Sequence, residues 1–132
     1  MSQKLSFIFD IDGTLCPLRK DDEKYEDIVP YENMIKKLKE YKDAGAYIIL
    51  YTSRNMNTYN GNLGLINANT AKVMVKWLEK WKIPYDELLY GKPWPGHYGF
   101  YIDDRSIRPD EYLKYSIDEL NQIVEKSRKN IN

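Results

Sequence analysis

Two aspartates stand one residue apart in FIFDIDGTL (residues 7–15): Asp10 and Asp12 follow an apolar run and precede Gly13-Thr14. Three other groups of chemically competent side chains also follow apolar stretches. These are Thr52-Ser53-Arg54 after AYIILY, Lys92 after ELLYG, and Asp103-Asp104 at the end of FYID. In open α/β sheets the ligand site lies beyond the carboxyl ends of the strands, so if these stretches are parallel strands the four groups converge. As chemistry, the carboxylates suffice to hold a hard cation, and the hydroxyl, guanidinium and ammonium donors suit a phosphate. Mg²⁺ takes few oxygen ligands and keeps several waters, which one or two carboxylates and a substrate phosphate would supply. A divalent ion and a lysine would also relieve the repulsion among clustered carboxylates and a phosphate.

The elements that must position these groups are readable from pattern. LSFIFD (residues 5–10) is an apolar run bounded by polar residues, the signature of a buried strand in a parallel sheet. Residues 17–29 are polar and aperiodic, a surface loop or flap. Pro30 opens a helix and Gly45 closes it, with Met34, Ile35, Leu38 and Tyr41 forming one apolar stripe between them. AYIILY (46–51) is a second strand. The Asn- and Gly-rich residues 55–67 predict an irregular connection. Val73, Met74, Trp77, Leu78 and Trp81 then mark an amphipathic helix ended by Pro84, whose tryptophans match its buried face. ELLYG (87–91) and FYID (100–103) are short strands. Ser116-Ile-Asp-Glu119 is a capping-box pattern that starts a closing helix with Leu120, Ile123 and Val124 inward. Strands alternating with helices predict an α/β fold with a mainly parallel sheet.

The chain has 132 residues, the size of one domain spanning residues 1–132. Lys+Arg 20 balance Asp+Glu 20, which argues against nucleic acid as a partner. No apolar run approaches a membrane span and the first residues lack a secretory pattern, so a cytoplasmic protein is expected. Cys16, the single cysteine, is expected to serve packing.

The order of the motifs adds a resemblance. D-x-D-G-T at the first strand, Thr52 ending the second, then Lys92, then an Asp pair: in this order the chain resembles the haloacid dehalogenase superfamily of phosphohydrolases over nearly its whole length. The strings GKPWPGHYGFYIDDRSIRPDEY and TSRNMNTYNGNLG are similar to a small group of cap-less phosphatases associated with capsule and surface-polysaccharide biosynthesis. The resemblance implies a Rossmann-like three-layer sandwich and a Mg²⁺-dependent phosphomonoester hydrolase. Asp10 would be the nucleophile that forms an aspartyl-phosphate. Asp12 would protonate the leaving oxygen and later deprotonate the attacking water. Gly13 would let the chain turn and Thr14 would hold the turn. Thr52 and Lys92, with Ser53 and Arg54 beside them, would bind the phosphate. The metal would sit on Asp10, the Asp12 backbone carbonyl and Asp103, with Asp104 close by. Arg54 has two readings, gripping phosphate or pairing with a carboxylate.

Members of this superfamily commonly carry a cap domain, and neither interval of this sequence has room for one. An open site suits a large substrate, such as a small-molecule or glycan-linked phosphate presented by one end, or closure by a neighbouring copy in a homo-oligomer. Asn57, Tyr59, Asn60 and Asn62, with Trp94 and His97, are the candidates for substrate contact, suited to a polar sugar or amino-alcohol. Two alternatives compete. A phospho-acceptor receiver domain uses similar groups in a different order, and a polynucleotide 3′-phosphatase resembles the Asp103-Asp104-Arg105 string but fits the balanced charge poorly. A P-loop is excluded because Asp86 and Pro93 stand where Gly and Ser or Thr are required.

Overall fold

The structure is a computed structural model that describes residues 4–131. It divides into two compact units, residues 1–94 and 95–132. The first is an α/β unit built on a three-stranded parallel sheet in the order β1-β2-β3, where β1 is Ser6–Phe9, β2 Tyr47–Tyr51 and β3 Glu87–Leu89. Phe7 pairs with Ile48 and Phe9 with Leu50, and Leu50 pairs in turn with Leu88. All three strands therefore end on the same side, and the residues that follow them share one end of the sheet.

Helix α1 (Glu32–Asp43) buries Met34, Ile35 and Leu38. It begins two residues after Pro30, with Tyr31 as its N-cap, so the proline precedes the helix instead of opening it. At its far end the Gly45 N–H donates to the Lys42 carbonyl and the Ala46 N–H to the Tyr41 carbonyl, the paired bonds that close a helix and release the chain into a strand. The expected irregular connection over residues 55–67 is only half irregular. Turns run to Gly61, and then α2 (Leu63–Leu65), a π-helical stretch (Ile66–Thr70) and α3 (Ala71–Lys80) follow without a break. The Asn62 side chain accepts from the Leu65 N–H and starts this run, a capping role that Asn fills as readily as it fills a loop. Met74, Trp77 and Leu78 of α3 are buried, and the Trp77 indole donates to the Ile28 carbonyl at 2.7 Å. That bond ties the polar segment 17–29, which contains a 3₁₀ turn at Tyr25–Asp27, onto the helix.

β1 departs from the expectation of a buried strand. It pairs with β2 alone among the described residues, and Ile8 is 67% exposed while Phe9 is buried. Successive side chains of a strand point to opposite faces, so Phe9 lies on the packed face and Ile8 on the face left uncovered there.

The second unit is helical. α4 (Pro109–Lys114), which the sequence pattern did not predict, buries Tyr112. α5 (Ile117–Lys129) buries Leu120 and starts at Ser116, whose hydroxyl accepts from the Glu119 N–H while the Glu119 carboxylate accepts from the Ser116 N–H. The FYID stretch is not a strand: residues 100–103 carry no ladder, and Phe100, Tyr101 and Ile102 are exposed. Strand propensity is realised only against a partner edge, and this unit contains no described strand.

Candidate functional site

The β1 tip turns sharply. The Ile11 carbonyl accepts from the N–H groups of Thr14, Leu15 and Cys16 at 3.1, 2.9 and 3.3 Å, and the Gly13 N–H donates to the Cys16 carbonyl at 2.8 Å. The turn needs φ +89° at Gly13, a conformation that costs a side-chain-bearing residue. It also brings Thr14 back to Asp10, where the hydroxyl donates to Oδ2 at 3.0 Å.

From the other edge of the sheet, Lys92 Nζ lies 3.4 Å from Asp10 Oδ1. Two backbone bonds set its approach. The Thr52 N–H donates to the Leu89 carbonyl at 2.9 Å and the Lys92 N–H to the Thr52 carbonyl at 3.1 Å. Between Leu89 and Lys92 the chain bends at Gly91, φ +81°, where a Cβ would come within 2.6 Å of Leu63 Cδ2. Asp10 thus sits between a hydroxyl and an ammonium, with its side chain 30% exposed.

Asp12 faces a different cation. Arg54 Nε donates to Asp12 Oδ2 at 3.0 Å and Nη2 to Oδ1 at 2.9 Å, a two-pronged bond that fixes the carboxylate plane. The Arg54 side chain is 1% exposed, against 20% for Asp12. Tyr25 lies over the guanidinium at 4.2 Å, and the Arg54 N–H donates to the Thr52 hydroxyl oxygen at 3.0 Å. The pairing with a carboxylate, one of the two readings of Arg54, is present. Its third nitrogen, Nη1, is buried and has no hydrogen-bond partner among the described residues. The Cys16 thiol, also buried, donates to Asp12 Oδ1 at 3.6 Å; burial first, and the Asp12 charge second, push it up to about 12. At neutral pH it is a thiol, not a nucleophile.

The first unit therefore gathers Asp10, Asp12, Thr52, Arg54 and Lys92 at one end of its sheet, with Ser53 half-buried beside them. Asn57 and Asn60 are exposed on the turns that precede α2. Asp103, Asp104 and His97 belong to the second unit. There Asp103 Oδ1 accepts from the Arg105 N–H, and Asp104 pairs with Arg128, whose hydrogen bond holds its carboxyl below the usual range. His97 is exposed. Among the described residues, no group of three or more His, Cys, Asp and Glu side chains is gathered as a metal cluster. Tyr25 was missed by pattern because its segment has no period, although an aromatic residue in a charged stretch could have drawn notice.

Among solved structures, this chain is similar to a crystal structure of a Vibrio cholerae protein at 45% identity, with a TM-score of 0.87 over 93% of this chain and 98% of the other. It is also similar to part of the Pnkp1/Rnl/Hen1 RNA repair complex at 24% identity and a TM-score of 0.49, covering 72% of this chain and 27% of that one. The second likeness is too slight to carry weight. No protein-family model and no curated protein matched the sequence. Among the described residues, no helix is long and apolar enough to cross a membrane.

Proposed function

We propose a phosphomonoester hydrolase: the chain belongs to the same family as the Vibrio cholerae protein, and its sheet end carries a carboxylate set for attack on phosphorus. The observation that carries this reading is Asp10, held by Thr14 on one oxygen and by Lys92 on the other, with a second carboxylate one residue away and clamped by Arg54. An ionised carboxylate needs no activating base. Phosphoryl transfer asks mainly for positioning and for charge to balance the transferred group. Asp10 would attack the phosphoryl group of the substrate, forming an aspartyl-phosphate and releasing an alcohol. Lys92 would draw the phosphoryl oxygens toward Asp10. Asp12, oriented by the guanidinium, would give a proton to the leaving oxygen and take one from the water that cleaves the intermediate.

The side chains of this end fit Mg²⁺ in part. The Asp10 carboxylate is a half-exposed hard oxygen donor of the kind the ion prefers. Both Asp12 side-chain oxygens are occupied by Arg54, so Asp12 would contribute its backbone carbonyl. Bound there, the ion would neutralise charge on the phosphoryl group and the carboxylates. The sequence resemblance adds Asp103 and Asp104 as ligands. It also supplies the finer assignment: a cap-less haloacid-dehalogenase-like fold of cytoplasmic location, acting on a sugar phosphate or phosphorylated amino-alcohol in capsule or surface-polysaccharide biosynthesis.

The test is steady turnover of p-nitrophenyl phosphate with Mg²⁺, using Asp10→Asn as the blank. Continuous release of nitrophenol by the wild type and at least about a thousandfold less by the variant are expected, the loss typical of a nucleophile. A single phosphorylation without turnover would instead mark a receiver domain, and equal rates in the two proteins would remove Asp10 from the chemistry.

A further inference from the structure

Arg54 can orient Asp12 only if it is itself held, and a long side chain with many rotamers does not hold itself. Its base is set by the backbone, where the Arg54 N–H donates to the Thr52 hydroxyl oxygen at 3.0 Å. Its tip is spent on the carboxylate, through Nε at 3.0 Å and Nη2 at 2.9 Å. What remains is the body of the group, and this is where Tyr25 stands. The centre of its ring lies 4.2 Å from the guanidinium carbon, well inside the range of about 6 Å over which a ring face attracts a cation. The Trp77 ring lies at 6.0 Å, the limit of that range. The half-buried tyrosine thus covers a charged group that is itself 1% exposed, the setting in which a cation and a ring attract each other most.

The chain fixes the ring on both flanks. Tyr25 opens the 3₁₀ turn, which packs against α3. Just after the turn, Ile28 is buried and its carbonyl accepts from the Trp77 indole at 2.7 Å. Just before it, Arg19 Nη1 donates to the carbonyls of Lys20 and Glu23 at 3.1 and 3.0 Å, and the Lys20 N–H donates to the Glu23 carboxylate at 2.8 Å. These bonds fold the approach to Tyr25 into a closed loop, and the Arg19 guanidinium lies 5.2 Å from the same ring. A cavity of about 230 Å³ adjoins Tyr25 and Arg54, walled also by Glu26 and by the chain running from β2 into α3. Water there would reach the guanidinium once the ring is removed, and water competes for charge-assisted hydrogen bonds. The ring therefore both attracts the cation and keeps its bonds to Asp12 dry.

We infer that Tyr25 is a positioning residue for the reaction: its ring holds the Arg54 guanidinium, and through it the Asp12 carboxylate, in the orientation that proton transfer needs. That the held carboxylate serves proton transfer rests on the function proposed above; that the ring holds the pair does not. The attraction is to the ring face, which Phe shares, so the hydroxyl is dispensable. Proton transfer requires the acid within hydrogen-bond reach of the leaving oxygen, and small displacements of a reacting group are costly. The loss of the ring therefore falls hardest on substrates whose leaving oxygen is a strong base, since these depend most on receiving the proton.

The experiment compares Tyr25→Ala and Tyr25→Phe with the wild-type full chain in two measurements. Exchange of the Arg54 Nε–H with water, followed by ¹⁵N NMR, reads the clamp without substrate. It should quicken by at least about tenfold in Tyr25→Ala, the scale of a desolvated cation–ring contact, and stay within about twofold of wild type in Tyr25→Phe. The Trp77 indole N–H signal should keep its place in both variants, because the turn is docked through that bond. The second measurement is kcat/KM with Mg²⁺ on p-nitrophenyl phosphate and on phenyl phosphate, whose leaving oxygen is the stronger base. Tyr25→Ala should lose about tenfold more on phenyl phosphate than on the nitrophenyl ester, a fraction of what a general acid supplies, and Tyr25→Phe should restore both. Unchanged Arg54 exchange in Tyr25→Ala, equal losses on the two esters, failure of Tyr25→Phe to restore them, or a Trp77 signal displaced together with faster exchange would each overturn the inference. A wild type that hydrolyses neither ester would refute the proposed function, and the exchange rates would still decide whether Tyr25 holds the pair.

Discussion

Asp12 and Arg54 form one pair, yet losing either partner should not cost the same. The Arg54 side chain is 1% exposed and the Asp12 side chain 20%. Asp12→Asn keeps the volume and strands the guanidinium, which does not deprotonate in proteins. A buried charge left in this way costs about 3–5 kcal/mol, a large part of the 5–15 kcal/mol that typically holds a domain together. Arg54→Met keeps most of the packing under Tyr25 and strands a carboxylate that water still reaches. Its cost should be limited to the lost charge-assisted bonds, about 1.5–3 kcal/mol. The double variant removes both charges and should be more stable than Asp12→Asn alone. Urea unfolding of the four proteins, analysed as a double-mutant cycle, measures all three quantities. If Asp12→Asn lies within about 0.5 kcal/mol of wild type, or if Arg54→Met is the costlier change, the guanidinium is not held in the dry by Asp12, and the positioning role given to it fails.

Two further outcomes follow from the same end of the sheet. Gly91→Ala should lose about 1–2 kcal/mol from its left-handed backbone, with an added loss from the overlap with Leu63; thermal melting of Gly91→Ala with and without Leu63→Ala should show relief of the second part only, and full recovery would mean that the backbone is not strained. Cys16 rises from an ordinary 9.0 to about 12 in the folded chain, so between those values the unfolded chain has lost a proton that the folded one keeps. The contribution is intact below pH 9 and falls as pH rises toward 12, by up to about 1.4 kcal/mol per pH unit. The stability difference between wild type and Cys16→Ser should therefore shrink from pH 8 to pH 10.5 in chemical unfolding, and a constant difference would refute the buried thiol.

The elements that depend on local signals were legible in the sequence. Ser116 and Glu119 cap α5, the stripe of Met34, Ile35 and Leu38 faces inward on α1, and three apolar runs become parallel strands. What failed depended on partners elsewhere. FYID has the composition of a strand and no edge to join within its unit, while Ile8 has the composition of a core residue and lies on a face of β1 that nothing covers there. Arg54 could not be assigned from its neighbours, because its partner is 42 residues away.

The failures were not spread evenly. Tyr25 and Glu26 come from the segment read as a flap, and Asn55, Tyr59, Asn69 and Thr70 from the stretch read as irregular or from its helical continuation. Periodicity reports which face of an element meets the core, so it is silent where a chain departs from period to shape a cavity. The π-helical turn and the left-handed Asn55 are such departures, and each is tolerated only where surrounding contacts enforce it. The residues proposed for the reaction sit at strand ends, where the repeating pattern makes them visible. The aperiodic connections can vary without disturbing the sheet. Strand ends and the groups they carry are therefore the part of such a protein that a sequence pattern can reach. Partners that no local pattern reveals, such as the Asp12 carboxylate held by Arg54, have to be read from the folded chain.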